Sequence, residues 1–208
     1  MESNHKVWIG AIALIVGLAI GGGVGYATGM NMDSSNSSTT TSQNMATTTK
    51  EGVTVGGALM VRNKDIVDNA VQADNVTTLV SLVKMAGLVD TLKGQGPFTV
   101  FAPNNDAFAK LPAATVASLQ KPENVDMLKK ILTYHVVPGT YTSASLKAMA
   151  AKGETLTSVE GEVLTPVVEG DMVWIQDVSG GKSEVETADV ISSNGVTHVV
   201  KSVLMPKS

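Results

Sequence analysis

Apolar residues are distributed along this 208-residue chain in three different patterns. Positions 7–30 are almost continuously apolar, positions 31–50 contain almost no large apolar side chain, and positions 51–208 alternate between apolar and polar residues. A continuous apolar run predicts a membrane span, a polar run predicts a flexible segment, and alternation predicts helices and strands around a core. We therefore expect an anchor, a stalk and a globular domain, in that order.

The apolar run at 7–30 has 24 consecutive uncharged positions, enough for a helix to cross a hydrocarbon layer of about 30 Å. Trp8 and Tyr26 would lie roughly 27 Å apart on that helix, which suits rings at the two membrane interfaces. Lys6 precedes the run, and the next lysine or arginine is Lys50, which lies 20 positions after the end of the run. Residues 1–6 are therefore predicted to be cytoplasmic and the globular domain extracytoplasmic, in a single-pass cell-membrane protein.

The same run has a second interpretation, as a secretion signal that is removed. Gly25-Tyr26-Ala27 matches the small-x-small pattern of cleavage sites. The run exceeds the usual apolar region of a signal peptide, about 7–15 residues, and this favours an uncleaved signal anchor. Both interpretations export the globular domain, and cleavage would make it a secreted protein.

Four glycines repeat at every fourth position of the predicted span: Gly17, Gly21, Gly25 and Gly29. Small residues at this spacing form one helix face on which two spans can approach closely. One interpretation is therefore a homodimer formed through the span. The other is that glycine is simply common near the ends of signal anchors.

The polar run at 31–50 contains 11 serine or threonine residues among 20. Such a segment cannot bury enough apolar surface to offset the entropy lost on ordering its backbone. We interpret it as a disordered stalk that holds the domain of residues 51–208 away from the membrane.

Helical signals dominate the first half of the globular domain. Asp65 precedes an apolar face in the way an acidic helix start does. Leu79, Leu82, Val83 and Ala86 follow helical spacing, and Gly87 stands where a helix commonly ends. Further helices are expected from Asn105 or Asp106, from Pro122 and over 143–149, and strands are expected at 98–101 and 132–137.

Strand signals dominate the second half. Asn194-Gly195 is the strongest hairpin signal of the chain. Because helices come first and an antiparallel set follows, the pattern indicates an α+β fold and not a βαβ winding. The expected strands are 155–159, 162–168, 172–178, 185–191 and 196–204.

Composition narrows the function. The chain has no cysteine, which excludes disulfides, thiolate metal sites and cysteine nucleophiles. A net charge of −4 and an aromatic content of 4% argue against a nucleic-acid partner. The charge is uneven: residues 107–152 carry a net +4 and residues 153–190 a net −8. This polarity either steers partners or is an ordinary solvated surface.

Candidate chemistry is sparse. The H-E-x-x-H and G-x-S-x-G motifs are absent, no cofactor-binding motif is present, and we expect no enzymatic activity. His135 and His198 lie among valines and are interpreted as core histidines, since a metal site would need a third ligand. Asp106 is interpreted as a helix cap or first-turn acid, with a buried hydrogen bond to a histidine as an additional role.

Three segments resemble the fasciclin domain. Residues 96–108 read Gly-Pro-Phe-Thr-Val-Phe-Ala-Pro-Asn-Asn-Asp-Ala-Phe, and residues 132–139 read Leu-Thr-Tyr-His-Val-Val-Pro-Gly. Residues 193–206 read Ser-Asn-Gly-Val-Thr-His-Val-Val-Lys-Ser-Val-Leu-Met-Pro. All three are similar to signature segments of that family, in its order and spacing, so that the resemblance covers residues 64–206.

The resemblance implies a wedge-shaped β-sandwich with several helices and a non-enzymatic adhesion or matrix-interaction role at the cell surface. Its partner would be a cell-surface or matrix protein or a glycan. In animal members the tyrosine–histidine segment is implicated in receptor binding, which would nominate Tyr134 and His135. The apolar residues around this pair favour a structural role instead. The alternative function is binding of a small apolar ligand or lipid in a cleft between sheet and helices.

Overall fold

The first half of the folded region is mainly helical. The computed structural model describes residues 52–207. Short 3-10 turns at Asp74–Val76 and Pro122–Asn124 precede two of the helices. The α-helices in this range are α1 (Ile66–Ala70), α2 (Thr77–Met85), α3 (Val89–Lys93), α4 (Asn105–Ala109), α5 (Ala113–Leu119), α6 (Val125–Tyr134) and α7 (Ser143–Lys152).

The strands form a hairpin and one larger sheet. The hairpin pairs β1 with β2, and the sheet has the order β4-β3-β9-β8-β7-β6-β5. Every pairing is antiparallel except that of β3 with β9, which is parallel. The strands are β1 (Gly52–Val55), β2 (Ala58–Val61), β3 (Phe98–Pro103), β4 (Val136–Pro138), β5 (Leu156–Thr157), β6 (Val163–Glu169), β7 (Met172–Gln176), β8 (Lys182–Ser192) and β9 (Gly195–Val200).

Local signals account for the first two helices. The Asp65 side chain accepts a hydrogen bond from the Asp68 amide at 2.7 Å and so caps α1. In α2, the side chains of Leu79, Leu82 and Val83 are buried on one face. Gly87 follows with φ of +68°, a conformation that glycine adopts without strain. Helix α1 therefore begins, and α2 ends, where the sequence predicted.

Strand β8 divides the large sheet into two parts. Its first residues pair with β7 and the remainder pairs with β9, with register shifts between Val185 and Val190. Such bulges bend a strand and increase its twist. The two ends of the sheet also meet, because the Val159 amide donates to the Val136 carbonyl at 2.7 Å. The strands therefore enclose a core between them.

Two hydrophobic clusters fill the interior. One lies between the helices and the sheet and includes Leu82 and Leu128. The other lies among the strands and α7, and includes Phe101, Tyr134 and Leu146, which are all fully buried. Helices packed on a mostly antiparallel sheet confirm the α+β class.

Two strand predictions were wrong in detail, and two pairings were not predicted. Residues 132–134 continue α6, and only Val136–Pro138 is a strand. The strand expected at 155–159 shortens to Leu156–Thr157, and the β1–β2 hairpin was not expected. The antiparallel set expected for the second half is confirmed, whereas the parallel pairing of β3 with β9 was not predicted. Paired residues of these two strands are 97 positions apart, so they can pair in either direction because no short turn constrains them.

The predicted membrane span and the glycine face within it lie outside the described residues. Among residues 52–207, no helix combines the length and apolarity needed to cross a membrane.

Candidate functional site

Tyr134 of the tyrosine–histidine segment is buried at the end of α6. Its exposed fraction is 0%, and its hydroxyl donates to the Val163 carbonyl at 2.9 Å. The same oxygen accepts from the Val178 amide at 3.0 Å. Burial raises the pKa of the phenol to about 12, so that it stays protonated. Tyr134 thus connects α6 to β6 and to the turn after β7, and the folded protein presents none of its surface to a partner.

His135 follows Tyr134 as the C-cap of α6 and is also buried. Its Nε2 accepts from the Leu204 amide at 3.0 Å, which places the ring proton on Nδ1. The Nδ1–H group then donates to the Ile131 carbonyl at 2.8 Å. Desolvation lowers the pKa of His135 to about 4. The neutral ring therefore attaches the C-terminal segment to α6.

His198 on β9 makes a second connection of the same kind. Its Nδ1 accepts from the Asp189 amide at 3.3 Å, and its Nε2–H donates to the Tyr141 carbonyl at 2.7 Å. The ring stacks on Phe101 with centroids 5.7 Å apart. Burial lowers the pKa of His198 as well. Both histidines thus occupy the core, as the valine-rich pattern predicted.

Asp189 extends the His198 connection to a helix. Its backbone has φ of +59°, which is uncommon for a residue other than glycine. Its carboxylate accepts from the Ser143 amide, at 2.7 Å, and from the Ser143 hydroxyl. Ser143 is the first residue of α7, where an anion is favoured. The Asp189 conformation therefore fixes α7 and the Tyr141 loop together.

Asp106 is the first-turn acid of α4, which was one of the two roles predicted for it, and it is not the cap. The cap of α4 is Asn104, whose side chain accepts from the Ala107 amide at 2.7 Å. Asp106 lies in the first turn, exposed, and no hydrogen bond joins it to His135 or His198. Asn104 takes the cap because its backbone is extended, with ψ of 172°, and β3 delivers it buried beside the helix end.

We expect Asn104→Ala to lower the free energy of unfolding by about 1–2 kcal/mol, because it removes this cap. The substitution also removes the hydrogen bond that the side-chain amide of Asn104 donates to the Glu186 carboxylate. Asp106→Ala should lower it by less than about 1 kcal/mol, since the exposed carboxylate only interacts with the helix dipole. Chemical unfolding of the two variants measures the difference. Equal losses would contradict the assignment of Asn104 as the cap.

Neither histidine is available for catalysis or for a metal. All four ring nitrogens of His135 and His198 already have hydrogen-bond partners. Within residues 52–207, no group of three or more His, Asp or Glu side chains is arranged to hold a metal ion. The hydrogen bonds of His135 and His198 instead connect segments that are distant in the sequence.

The buried Asn69 and the half-buried Asn194 also connect distant segments, and these hydrogen bonds were not predicted. Asn69 exchanges hydrogen bonds of 3.0 Å with both backbone groups of Val61 and donates to the Ser192 hydroxyl. Asn194 accepts from the Ile66 amide and donates to the Leu92 carbonyl at 2.8 Å. The available signal was the position of Asn69 on the otherwise apolar face of α1.

An apolar cavity of about 100 Å³ lies between the helices and the sheet. Its lining comes mainly from α1, α2, α3, α6 and β3. An apolar cleft between the sheet and the helices was expected, but the sequence did not indicate which residues line it. They include Val67, Val80, Val83, Lys84, Val89, Phe101, Leu132, Thr133, His135 and Val159.

Comparisons with known proteins agree with this arrangement. The Fasciclin domain family model matches residues 74–206. Protein sll1483 of Synechocystis is 47% identical over 159 residues, which cover 76% of this chain and 83% of that protein. Immunogenic protein MPB70 of Mycobacterium bovis is 35% identical over 145 residues, covering 66% of this chain and 68% of that protein.

Two further matches involve multidomain proteins. The pig transforming growth factor-beta-induced protein ig-h3 is 34% identical over 136 residues, covering 65% of this chain but 18% of ig-h3. A solved FAS1 domain pair from the insect cell adhesion molecule Fasciclin I superposes with a TM-score of 0.64 and 19% identity. That match covers 74% of this chain and 57% of the solved one. This chain belongs to the Fasciclin domain family.

Proposed function

We propose that this protein is a non-catalytic adhesion or matrix-interaction module displayed at the cell surface. Family membership carries the proposal. Relatives are named for that location or role: MPB83 of Mycobacterium bovis is a cell surface glycolipoprotein, and Fasciclin I is a cell adhesion molecule. The hydrogen-bonded state of His135 and His198 supports the non-catalytic part, since neither ring can act as a general base.

The partner, a cell-surface or matrix protein or a glycan, would contact a surface other than the tyrosine–histidine segment, because Tyr134 and His135 are buried. The β6–β7 hairpin offers such a surface. Val163, Val168 and Met172 on this hairpin are 42%, 38% and 48% exposed. Val168 and Met172 lie next to the turn of the hairpin, where exposed apolar side chains are accessible to a partner.

Met172→Glu tests this surface in the full chain displayed on cells. Placing a carboxylate in an apolar contact should weaken attachment roughly fivefold or more, without unfolding the domain, since the position is exposed. The measurement is the fraction of cells retained on a cell layer or matrix surface under flow. Deletion of residues 51–208 sets the baseline.

Met127→Glu is the matched control, because Met127 is 59% exposed and lies on a different element, α6. It should leave attachment near the wild-type level. A larger loss with Met127→Glu would move the contact to α6. Attachment that survives deletion of residues 51–208 would refute the adhesion role.

Membrane tethering through residues 7–30 completes the proposal, with a homodimer formed through Gly17, Gly21, Gly25 and Gly29. The uncharged 24-residue run and its glycine spacing support it. The N-terminal residue of the mature chain in the membrane fraction distinguishes the anchor from a cleaved signal and a secreted protein.

A second candidate function is binding of a small apolar ligand or lipid. The apolar cavity between the helices and the sheet favours it, because protein interiors are normally close-packed. Retention of an apolar molecule by the protein would support this function independently of adhesion.

A further inference from the structure

The apolar cavity runs from the protein surface into the core. Part of its lining is exposed, including Lys84 on α2 and Val159, which is 46% exposed. The lining also includes Phe101, which is fully buried in the sheet. His135 contributes only ring surface, because both of its nitrogens bind backbone groups. The cavity is therefore a pocket with an open mouth and an apolar inner end.

The size of the pocket limits what can enter it. An apolar protein cavity of about 150 Å³ binds benzene and remains free of water otherwise. A volume of about 100 Å³ therefore accommodates roughly four carbon atoms. The end of an unbranched aliphatic chain fits this space, with the rest of the chain lying in the mouth.

Charge at the mouth is provided by one residue. Among residues 52–207, Lys84 is the only charged side chain in the lining, and it lies one helical turn after Val80, which also lines the pocket. Lys84 is exposed and makes no ion pair with any residue in the range 52–207. An apolar interior with a single cation at its rim matches an apolar chain that carries an anionic group.

We propose that this pocket binds the end of a single aliphatic chain whose anionic headgroup pairs with Lys84. The proposal rests on the second candidate function and adds the chemical class of its ligand. Fatty acids and anionic lipids share this chemistry. Each additional buried methylene should strengthen binding about threefold to fourfold until the inner end is filled.

Photolabelling tests the proposal with the full chain in membrane vesicles of the expressing cell. The probes are decanoic acid with a terminal diazirine and the decanol with the same group. We expect saturable labelling by the acid that excess unlabelled decanoate suppresses. The label should map to the inner lining, chiefly to Val83, Phe101 and Leu132. An anionic phospholipid with a terminal diazirine, used in parallel, distinguishes a lipid source from a free fatty acid.

Two pairs of variants separate the headgroup from the chain. Lys84→Gln should raise the half-saturating concentration of the acid about threefold to fivefold and leave that of the alcohol unchanged. Lys147→Gln, an exposed lysine on α7, should change neither. Val80→Phe should reduce labelling by both probes at least tenfold. Val116→Phe, at another half-buried helix position, should not.

The outcomes are distinguishable. No saturable labelling of the lining by either probe would overturn both the proposal and the second candidate function. Equal half-saturation by acid and alcohol in the wild type would overturn the anionic headgroup while leaving an apolar ligand in place. Neither result bears on adhesion, which the Met172→Glu comparison measures separately.

Discussion

His198→Ala should lower the free energy of unfolding by about 3–5 kcal/mol and leave any partner contact unaffected in the molecules that remain folded. The change leaves a cavity beside Phe101 and removes the partners of the Asp189 amide and the Tyr141 carbonyl. For a domain of this size, such a loss lowers Tm by roughly 10 °C. Chemical and thermal unfolding followed by circular dichroism measure both quantities.

His198→Gln is a graded comparison, because its amide nitrogen can replace Nε2 as a donor to Tyr141. We expect it to destabilise the domain less than His198→Ala does. Lys147→Ala, at an exposed position, should change the free energy of unfolding by less than about 0.5 kcal/mol. A His198→Ala variant as stable as wild type, but defective in attachment, would make His198 a contact residue and refute its core role.

Acidification should destabilise the domain between pH 6.5 and about pH 4. Above pH 6.5 His135 is neutral in both the folded and unfolded states, so its stability contribution is fully present. Below pH 6.5 His135 becomes protonated in the unfolded state. In the folded state it stays neutral until the pH approaches its lowered pKa of about 4. His135 alone should remove about 2 kcal/mol of stability by pH 5, and His198, whose pKa is also lowered, acts in the same direction.

Unfolding curves collected from pH 8 to pH 4.5 check this dependence. Histidine is the side chain whose ordinary pKa lies in this range, so the slope reports chiefly on these rings. His198→Gln removes one titrating group and should give a shallower slope than wild type. A free energy of unfolding that is constant between pH 7 and pH 5 would show that the rings are solvated or charged in the folded state.

These predictions assign the family's tyrosine–histidine segment to stability. Tyr134 and His135 each connect α6 to a distant segment, through Val163 and Leu204 respectively. Substituting either residue could abolish adhesion by unfolding the domain. The Met172→Glu comparison avoids that ambiguity because it changes an exposed side chain.

Helices and turns with strong local signals were predicted well. Asp65 caps α1 through the amide of a residue three positions later, and Gly87 ends α2 with a positive φ. The turn between β8 and β9 is Ser193-Asn194, one position before the predicted Asn194-Gly195, and Gly195 begins β9. Each of these features depends on residues a few positions apart, so local propensity was sufficient. Period-two patterning likewise located most of the strands, although their exact ends differed.

The candidate site was only partly predictable. The valine-rich pattern indicated that His135 and His198 are buried, but their partners are backbone groups up to 69 positions away. Sequence alone left open whether Asp106 is the cap of α4 or its first-turn acid, because it does not show that Asn104 has the extended backbone of a cap. No local signal distinguishes these alternatives.

The sequence by itself determined the division into an apolar run, a polar run and a folded domain, the fasciclin signature segments and the burial of two histidines. Only the tertiary structure decided the parallel pairing of β3 with β9, the ring proton of each histidine, and the pocket that Lys84 borders. The physical reason is the separation along the sequence over which each interaction acts. Hydrophobic periodicity and helix capping act over a few residues, whereas sheet order, buried hydrogen bonds and cavities depend on segments that only folding brings together.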